Sequence, residues 1–227
     1  MTFIPTLDTD SKQRPRIPRI LDPVELRVLG SLMEKQLSTP EYYPLTLNAL
    51  VAAANQKSNR EPVMELGEDE IQRALDRLQD EKLVWRVMGG RAVRFDHNLD
   101  TVWHLKRGEK AILTLLFLRG PQTTGEMRGR SDRLQPFDTV AQVEDLLRDM
   151  AMHSEPLVRQ LPRRPGQKEE RWAHTVGGAI VEDEMPSRRE AESPSGGEPL
   201  SARVARLEET VAALSAELRS LKEKLGE

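Results

Sequence analysis

The run Asn55-Gln56-Lys57-Ser58-Asn59-Arg60 gathers in six residues the side chains that read base edges. Asn and Gln pair bidentately with adenine, Arg and Lys with guanine. A competing reading gives Asn55 the end of a helix and uses the amides to satisfy an irregular loop; the run alone favours that one. Basic residues gather in three further places. Arg86, Arg91 and Arg94 fall in one expected hairpin, Arg159, Arg163, Arg164, Lys168 and Arg171 in another, and Arg128, Arg130 and Arg133 on and after a short helix. Such clusters either hold a phosphate backbone with little sequence preference or keep a small domain in solution. The candidate nucleic-acid contacts are Lys57, Arg60, Arg91, Arg94, Arg128, Arg130, Arg133, Arg163, Arg164 and Lys168.

Catalytic chemistry finds few residues to work with. His97, His104, His153 and His174 stand singly, and the chain has no cysteine, so neither a thiolate metal site nor a disulfide framework is expected. Gly120 to Gly125 lacks the lysine of a phosphate-binding loop. Glu68-Asp69-Glu70 opens a helix, where the macrodipole favours acids, and Glu182-Asp183-Glu184 lies in a linker. The expectation is a non-enzymatic protein without metal or cofactor.

The elements that must position these residues follow from periodicity. The 227 residues carry 34 Lys+Arg against 37 Asp+Glu and only 4% aromatics. No apolar run approaches membrane-spanning length and no signal peptide is evident, which predicts a cytoplasmic protein. Residues 1–20, with three prolines, read as a disordered arm. Asp22-Pro23-Val24-Glu25 is a helix start with a capping box, and Val28, Leu29, Leu32 and Met33 give that helix one apolar face. A second helix fits Leu47–Ala54 behind Thr46. A third has Ile71, Ala74, Leu75 and Leu78 inward, and a hairpin follows over Leu83–Met88 and Ala92–Asp96.

The same order returns. Glu109, Ile112, Leu113 and Leu116 repeat Glu25, Val28, Leu29 and Leu32 at an offset of 84. Thr123 and Glu126 make another capping box, Asp138 is the expected cap of a third helix, and Leu157–Leu161 with Glu170–Thr175 form the second hairpin. The third helices match at an offset of 72, so about twelve extra residues are expected in the Asn55–Gly67 region. The fold class is mainly α with small β-hairpins: two tandem winged helices, at 21–100 and 105–177. A flexible linker over 178–200 leads to a coiled-coil helix over 201–226. There Val204, Leu207, Val211, Leu214, Leu218, Leu221 and Leu225 step alternately by three and four, with β-branched residues at a and leucine at d. That pattern favours a parallel homodimer.

Glu34-Lys35-Gln36, Thr39-Pro40-Glu41, Tyr43-Pro44-Leu45, Asn48 and the ten residues Asn55–Met64 resemble the YceH family of bacterial tandem winged-helix proteins. So do Arg119-Gly120-Pro121-Gln122-Thr123 and Gly125-Glu126-Met127-Arg128. The resemblance covers residues 21–176. It departs at Lys106-Arg107-Gly108, where a Ser cap is expected, and it implies the fold rather than the function.

A winged helix commonly places its third helix in the DNA major groove. Here the two third helices expose acidic faces of about −2 each, through Asp69, Glu70, Asp76 and Asp80 and through Glu144, Asp145 and Asp149. Duplex phosphates repel such faces. Two functions stay open: a DNA-associated regulatory protein binding duplex DNA through basic wings, or an adaptor without direct DNA binding, resembling the tandem winged-helix subunits of chromosome-organising complexes, whose acidic helices meet a protein partner.

Overall fold

Asp22 accepts from the backbone N–H of Glu25, and Glu25 accepts from that of Asp22, both at 2.9 Å. This capping box starts α1 (Pro23–Ser38). The computed structural model describes residues 16–88, 92–163, 167 and 169–178. After α1 come a 3-10 turn (Pro40–Tyr42), β1 (Leu45–Thr46), α2 (Leu47–Ala54), α3 (Glu68–Asp80), β2 (Val84–Val87) and β3 (Arg94–His97). The short α4 (Leu99–Val102) leads to α5 (Arg107–Arg119), α6 (Thr124–Ser131), α7 (Val140–Ala151), β4 (Val158–Leu161) and β5 (Arg171–His174). Among the described residues this is a mixed α/β chain of seven helices and two small antiparallel sheets. None of the described helices is long and apolar enough to cross a membrane.

The order helix-helix-helix-hairpin occurs twice, and so does the sheet plan. In the first repeat the strand order is β1-β3-β2, with Leu45 opposite Phe95. In the second, β4 pairs β5, and a bridge from Gln122 to Trp172 takes the place of the third strand. Thr46 and Thr123 cap α2 and α6, accepting from Ala49 and Glu126. These caps are 77 residues apart, as are Phe95 and Trp172. The expected insertion is therefore not confined to 55–67. About seven extra residues lie between the start of α1 and the start of α2, in the longer α1 and the connector with its 3-10 turn, and about five lie between α2 and α3.

Helix α1 departs from a single apolar face. Val28, Leu29, Leu32 and Met33 are buried, and so are Glu25, Arg27, Gly30 and Ser31. The cause is α5, which packs on α1 in addition to α2 and α3. At their crossing a Cβ on Gly30 would sit 2.8 Å from Leu118 Cδ2 and 3.1 Å from Phe117 Cβ. Both repeats thus share one hydrophobic core, from Leu29 and Leu75 through Ile112 and Leu116 to Leu147 and Trp172. All described residues belong to one compact unit.

Three local expectations shift. The cap of α7 is Thr139 rather than Asp138, because Thr139 Oγ1 accepts from Gln142 and the helix begins one residue later. Lys106 stands at the cap of α5 without a side-chain bond of its own; Glu109 reaches back to its N–H at 2.8 Å and starts the helix. Residues 16–20, inside the expected arm, are held against the body. Trp103 donates to the Arg16 carbonyl at 2.6 Å, and Arg19 pairs with Glu25 at 2.7 Å. Beside them Leu21 donates to the Val176 carbonyl at 3.0 Å. The heptad positions Val204–Leu225 lie outside the described residues.

Candidate nucleic-acid interface

Two buried arginines shape the segment after α2. Arg60 donates to both carboxylate oxygens of Glu34, at 3.1 and 2.7 Å, and to the Ala53 carbonyl at 2.8 Å. Arg27 donates to the carbonyls of Ala54 at 3.1 Å and Pro62 at 2.5 Å. Both guanidiniums thus serve the carbonyl end of α2, which attracts cations. Burial, with the nearby charge of Arg60, pushes Arg27 down to about 10. Burial alone would raise the Glu34 carboxyl, but the hydrogen bonds and charges of Arg60 and Lys35 hold it below the ordinary value. Asn55 closes the loop from outside, giving its Nδ2 to the Leu66 carbonyl and accepting from the Leu66 N–H, each at 2.8 Å. Glu61 ties the far side to α5 through the Leu118 carbonyl at 2.7 Å, and Arg119 donates to Asn59 Oδ1.

Lys57, Ser58 and Asn59 remain exposed as one lip of a cleft of about 1140 Å³. Its other walls are the C-terminal parts of α1 and α5 and the end of α6. Lys35, Lys57, Arg119, Arg130 and Arg133 line it against two carboxylates, Glu34 and Asp132. A chain of net charge −3 therefore presents one concave basic surface. The cleft follows the internal repeat. Lys35 and Arg119 lie 84 residues apart, in the last turns of equivalent helices, and Arg133 follows α6 as Gln56 follows α2.

The five cations are not alike. Lys35, Arg119 and Arg130 occupy last turns, where the helix dipole stabilises them. Arg130 also donates to Gln122 Oε1 at 2.7 Å and to Glu126 at 3.1 Å. Lys57 and Arg133 are exposed, and no hydrogen bond or ion pair within the described residues holds either. Those two are free to meet an anion.

Of the candidates read from sequence, the fold brings Lys57, Arg130 and Arg133 together. Arg60 is a correction: its guanidinium is fully buried on Glu34 and Ala53 and presents nothing to a ligand. Arg128 is exposed and donates to the Asp138 carbonyl at 3.2 Å, outside the cleft lining. On the first hairpin Arg94 is held by the Pro44 carbonyl at 2.7 Å and Arg86 pairs with Asp76 at 2.9 Å. On the second, Arg163 lies 3.7 Å from Glu170. Arg91, Arg164 and Lys168 lie outside the described residues. Sequence reasoning missed Lys35 and Arg119; the signal was their shared 84-residue offset. The acidic third helices are as expected, with Asp69, Glu70, Asp76, Asp80, Asp145 and Asp149 exposed.

A second polar group joins the two repeats from within. Lys110 Nζ donates to Gln36 Oε1 and to Asp100 Oδ2, both at 2.6 Å, and His97 Nε2 meets Gln36 Oε1 at 2.9 Å. His97 Nδ1 accepts from Leu99 N–H at 3.3 Å, which assigns the proton to Nε2. Tyr43 donates to Asp96 at 2.6 Å and accepts from the His97 N–H at 2.8 Å. Burial pushes His97 down to about 4, with Asp100 opposing and Lys110 adding to the shift. These groups satisfy one another and fix the first hairpin onto α1 and α5.

Fold and cleft together define a doubled helix-and-hairpin protein with a basic cleft built from both repeats. The chain belongs to the family described as "Protein of unknown function, DUF480", which matches residues 21–167 and so contains every residue lining the cleft. It is similar to a UPF0502 protein of Geobacter metallireducens, 47% identical over 198 residues, covering 85% of this chain and 89% of the relative. A UPF0502 protein of Pelobacter propionicus is 46% identical over 208 residues, covering 89% and 94%. One of Burkholderia multivorans is 43% identical over 222 residues, covering 96% of this chain and 94% of its own, so that likeness runs past Gly178.

Proposed function

We propose that this chain is a non-enzymatic, DNA-associated protein of tandem winged-helix architecture that holds the phosphate backbone through its basic cleft. The observation that carries the reading is the convergence of Lys35, Lys57, Arg119, Arg130 and Arg133 on one concave surface of an acidic chain. The doubled helix-helix-helix-hairpin order and the β1-β3-β2 strand order support the winged-helix part. The acidic exposed faces of α3 and α7 are unfavourable in a major groove, so recognition is led by the backbone rather than by bases. Binding to DNA across a salt series tests this. The expected result is affinity that falls steeply with salt, varies little with sequence, and weakens in a Lys57→Ala/Arg133→Ala variant. Undetectable binding at low salt defeats it.

The adaptor reading rests on a different surface. Trp85, Met88 and Val93 of the first hairpin are exposed apolar side chains (47%, 81% and 41%) beside the acidic face of α3. A chain that shows no DNA affinity, yet copurifies with a protein released by Trp85→Ala, fits that function instead. Dimerisation through Val204, Leu207, Val211, Leu214, Leu218, Leu221 and Leu225 is part of either proposal. Sedimentation equilibrium of the parent and of Leu214→Asp tests it, and a parent chain that stays monomeric well above micromolar concentration defeats it.

A further inference from the structure

We infer that the cleft takes a single nucleic-acid strand rather than a duplex. The inference rests on the phosphate-binding reading of the same cleft. A duplex is a stiff, convex rod, read by protein elements that protrude into its grooves. The third helices here, which a winged helix would offer for that purpose, are acidic, and the first hairpin exposes Trp85, Met88 and Val93. The cations instead line a concave surface from two walls: Lys35 and Lys57 from α1 and the loop after α2, Arg119, Arg130 and Arg133 from α5, α6 and the residues after it. A flexible strand can pass between such walls with phosphates meeting both.

The uncharged lining suits unpaired bases. Gln56 Oε1 is occupied by Arg60 at 3.2 Å and Lys35 at 3.5 Å, and Asn59 Oδ1 by Arg119. With both carbonyl oxygens engaged, these amides keep their NH2 donors for a ligand. Donors on the lip complement phosphate oxygens and the acceptor edges that single-stranded bases expose. Among the described residues no aromatic lines the cleft, so charge rather than base stacking carries the affinity they offer. Binding is accordingly governed by charge and tolerant of sequence.

The test uses the full chain and fluorescence anisotropy with labelled oligomers of about 20 nucleotides: single-stranded DNA, the matched RNA and the matched DNA duplex, from low to moderate salt. A single strand bound about tenfold or more tighter than duplex is expected. Lys57→Glu/Arg133→Glu should cost about tenfold or more without moving the thermal melt, since neither side chain has a partner to lose among the described residues. Lys57→Ala/Arg133→Ala should flatten the slope of log K against log salt by about 1.4, at about 0.7 per phosphate on a single strand. Equal binding of the two single strands assigns the contact to phosphates, tighter RNA adds the 2′-hydroxyl, and both outcomes sustain the inference. Duplex bound as tightly as either strand, and weakened by the same variant, overturns the inference while leaving the DNA reading in place. Single-strand binding indifferent to the variant overturns the cleft as its site, and no binding by any oligomer overturns both readings.

Discussion

The two repeats stabilise their first helices by different means. In α1, Arg27, Ser31 and Glu34 form a polar stripe, and their equivalents 84 residues on in α5 are Ala111, Leu115 and Leu118. All six positions are at or near full burial, apart from the Glu34 carboxylate at 13%. The difference follows the chain downstream. The connector after α2 runs thirteen residues, 55–67, and turns back over α1, so its carbonyls need buried donors, which Arg27 and Arg60 provide. The connector after α6 is eight residues, 132–139, and leaves α5 free to be apolar. One fold thus carries that stripe in a polar and an apolar version. The polar version is the one that raises the Lys57–Asn59 lip.

The largest expected effect separates the two connectors. Arg60→Ala leaves the largely buried Glu34 with Lys35, 3.2 Å away, as its remaining counter-charge, and breaking a buried pair costs about 3–5 kcal/mol. Arg130→Ala, in the second repeat, removes a partly exposed pair with Glu126 and a hydrogen bond to Gln122 and should cost less, about 1–2 kcal/mol. Urea unfolding of the two variants checks this, and equal losses would erase the contrast.

The next prediction concerns what the repeats share. His97 and His174 close the two return strands, and burial first, in both, lowers them to about 4, with Arg159 adding to the effect on His174. A histidine that must stay neutral when folded binds its proton more readily when unfolded. Stability therefore falls as pH drops from about 6.5 to about 4, by roughly 2–3 kcal/mol per histidine. Denaturant midpoints from pH 7.5 to 4 should show the slope halved in either His97→Gln or His174→Gln. An unchanged slope in one of them would mean that the repeats titrate differently. Glu25 acts lower: burial would raise it, but hydrogen bonds from Arg19, Asp22 and Arg77 hold it at about 2. Its contribution is complete above about 4.5 and lost as pH falls through about 2.

A smaller effect probes the crossing. Gly30 and Thr114 are equivalent positions 84 residues apart, yet only Thr114 keeps a buried side chain. Gly30→Leu forces α1 off Leu118 and Phe117 and should cost about 1–3 kcal/mol by overpacking. Thermal melting reads the loss. The smallest effect is Lys57→Ala, which should leave the melt unchanged within about 0.5 kcal/mol; a larger shift would show that the lip is structural.

Local signals were legible in the chain, and remote ones were not. The caps at Asp22, Thr46 and Thr123 and the inward faces of α3 and α7 are set within one or two turns, and each falls where the pattern puts it, Thr139 for Asp138 excepted. The burial of Glu25 to Met33 on every side of α1 escaped because it depends on α5, some eighty residues away. The two-residue strand β1 and the one-turn α4 are too short for any periodicity. In the cleft, residue types named Lys57, Arg130 and Arg133, but spacing could not show that they converge. Arg60 looked the same as Lys57 in sequence; only the position of Glu34 buries the one and leaves the other exposed.

The bond from Leu21 N–H to the Val176 carbonyl has a consequence for synthesis. Chains are made from the N-terminus at about 5–20 residues per second, so the acceptor follows the donor by roughly 8–30 s. During that interval the partners of Arg16 and Leu21 arrive in turn, Trp103 about halfway through, then Glu155, and Val176 at its end. The first described residues to leave the ribosome therefore complete their hydrogen bonds only after both repeats have been made.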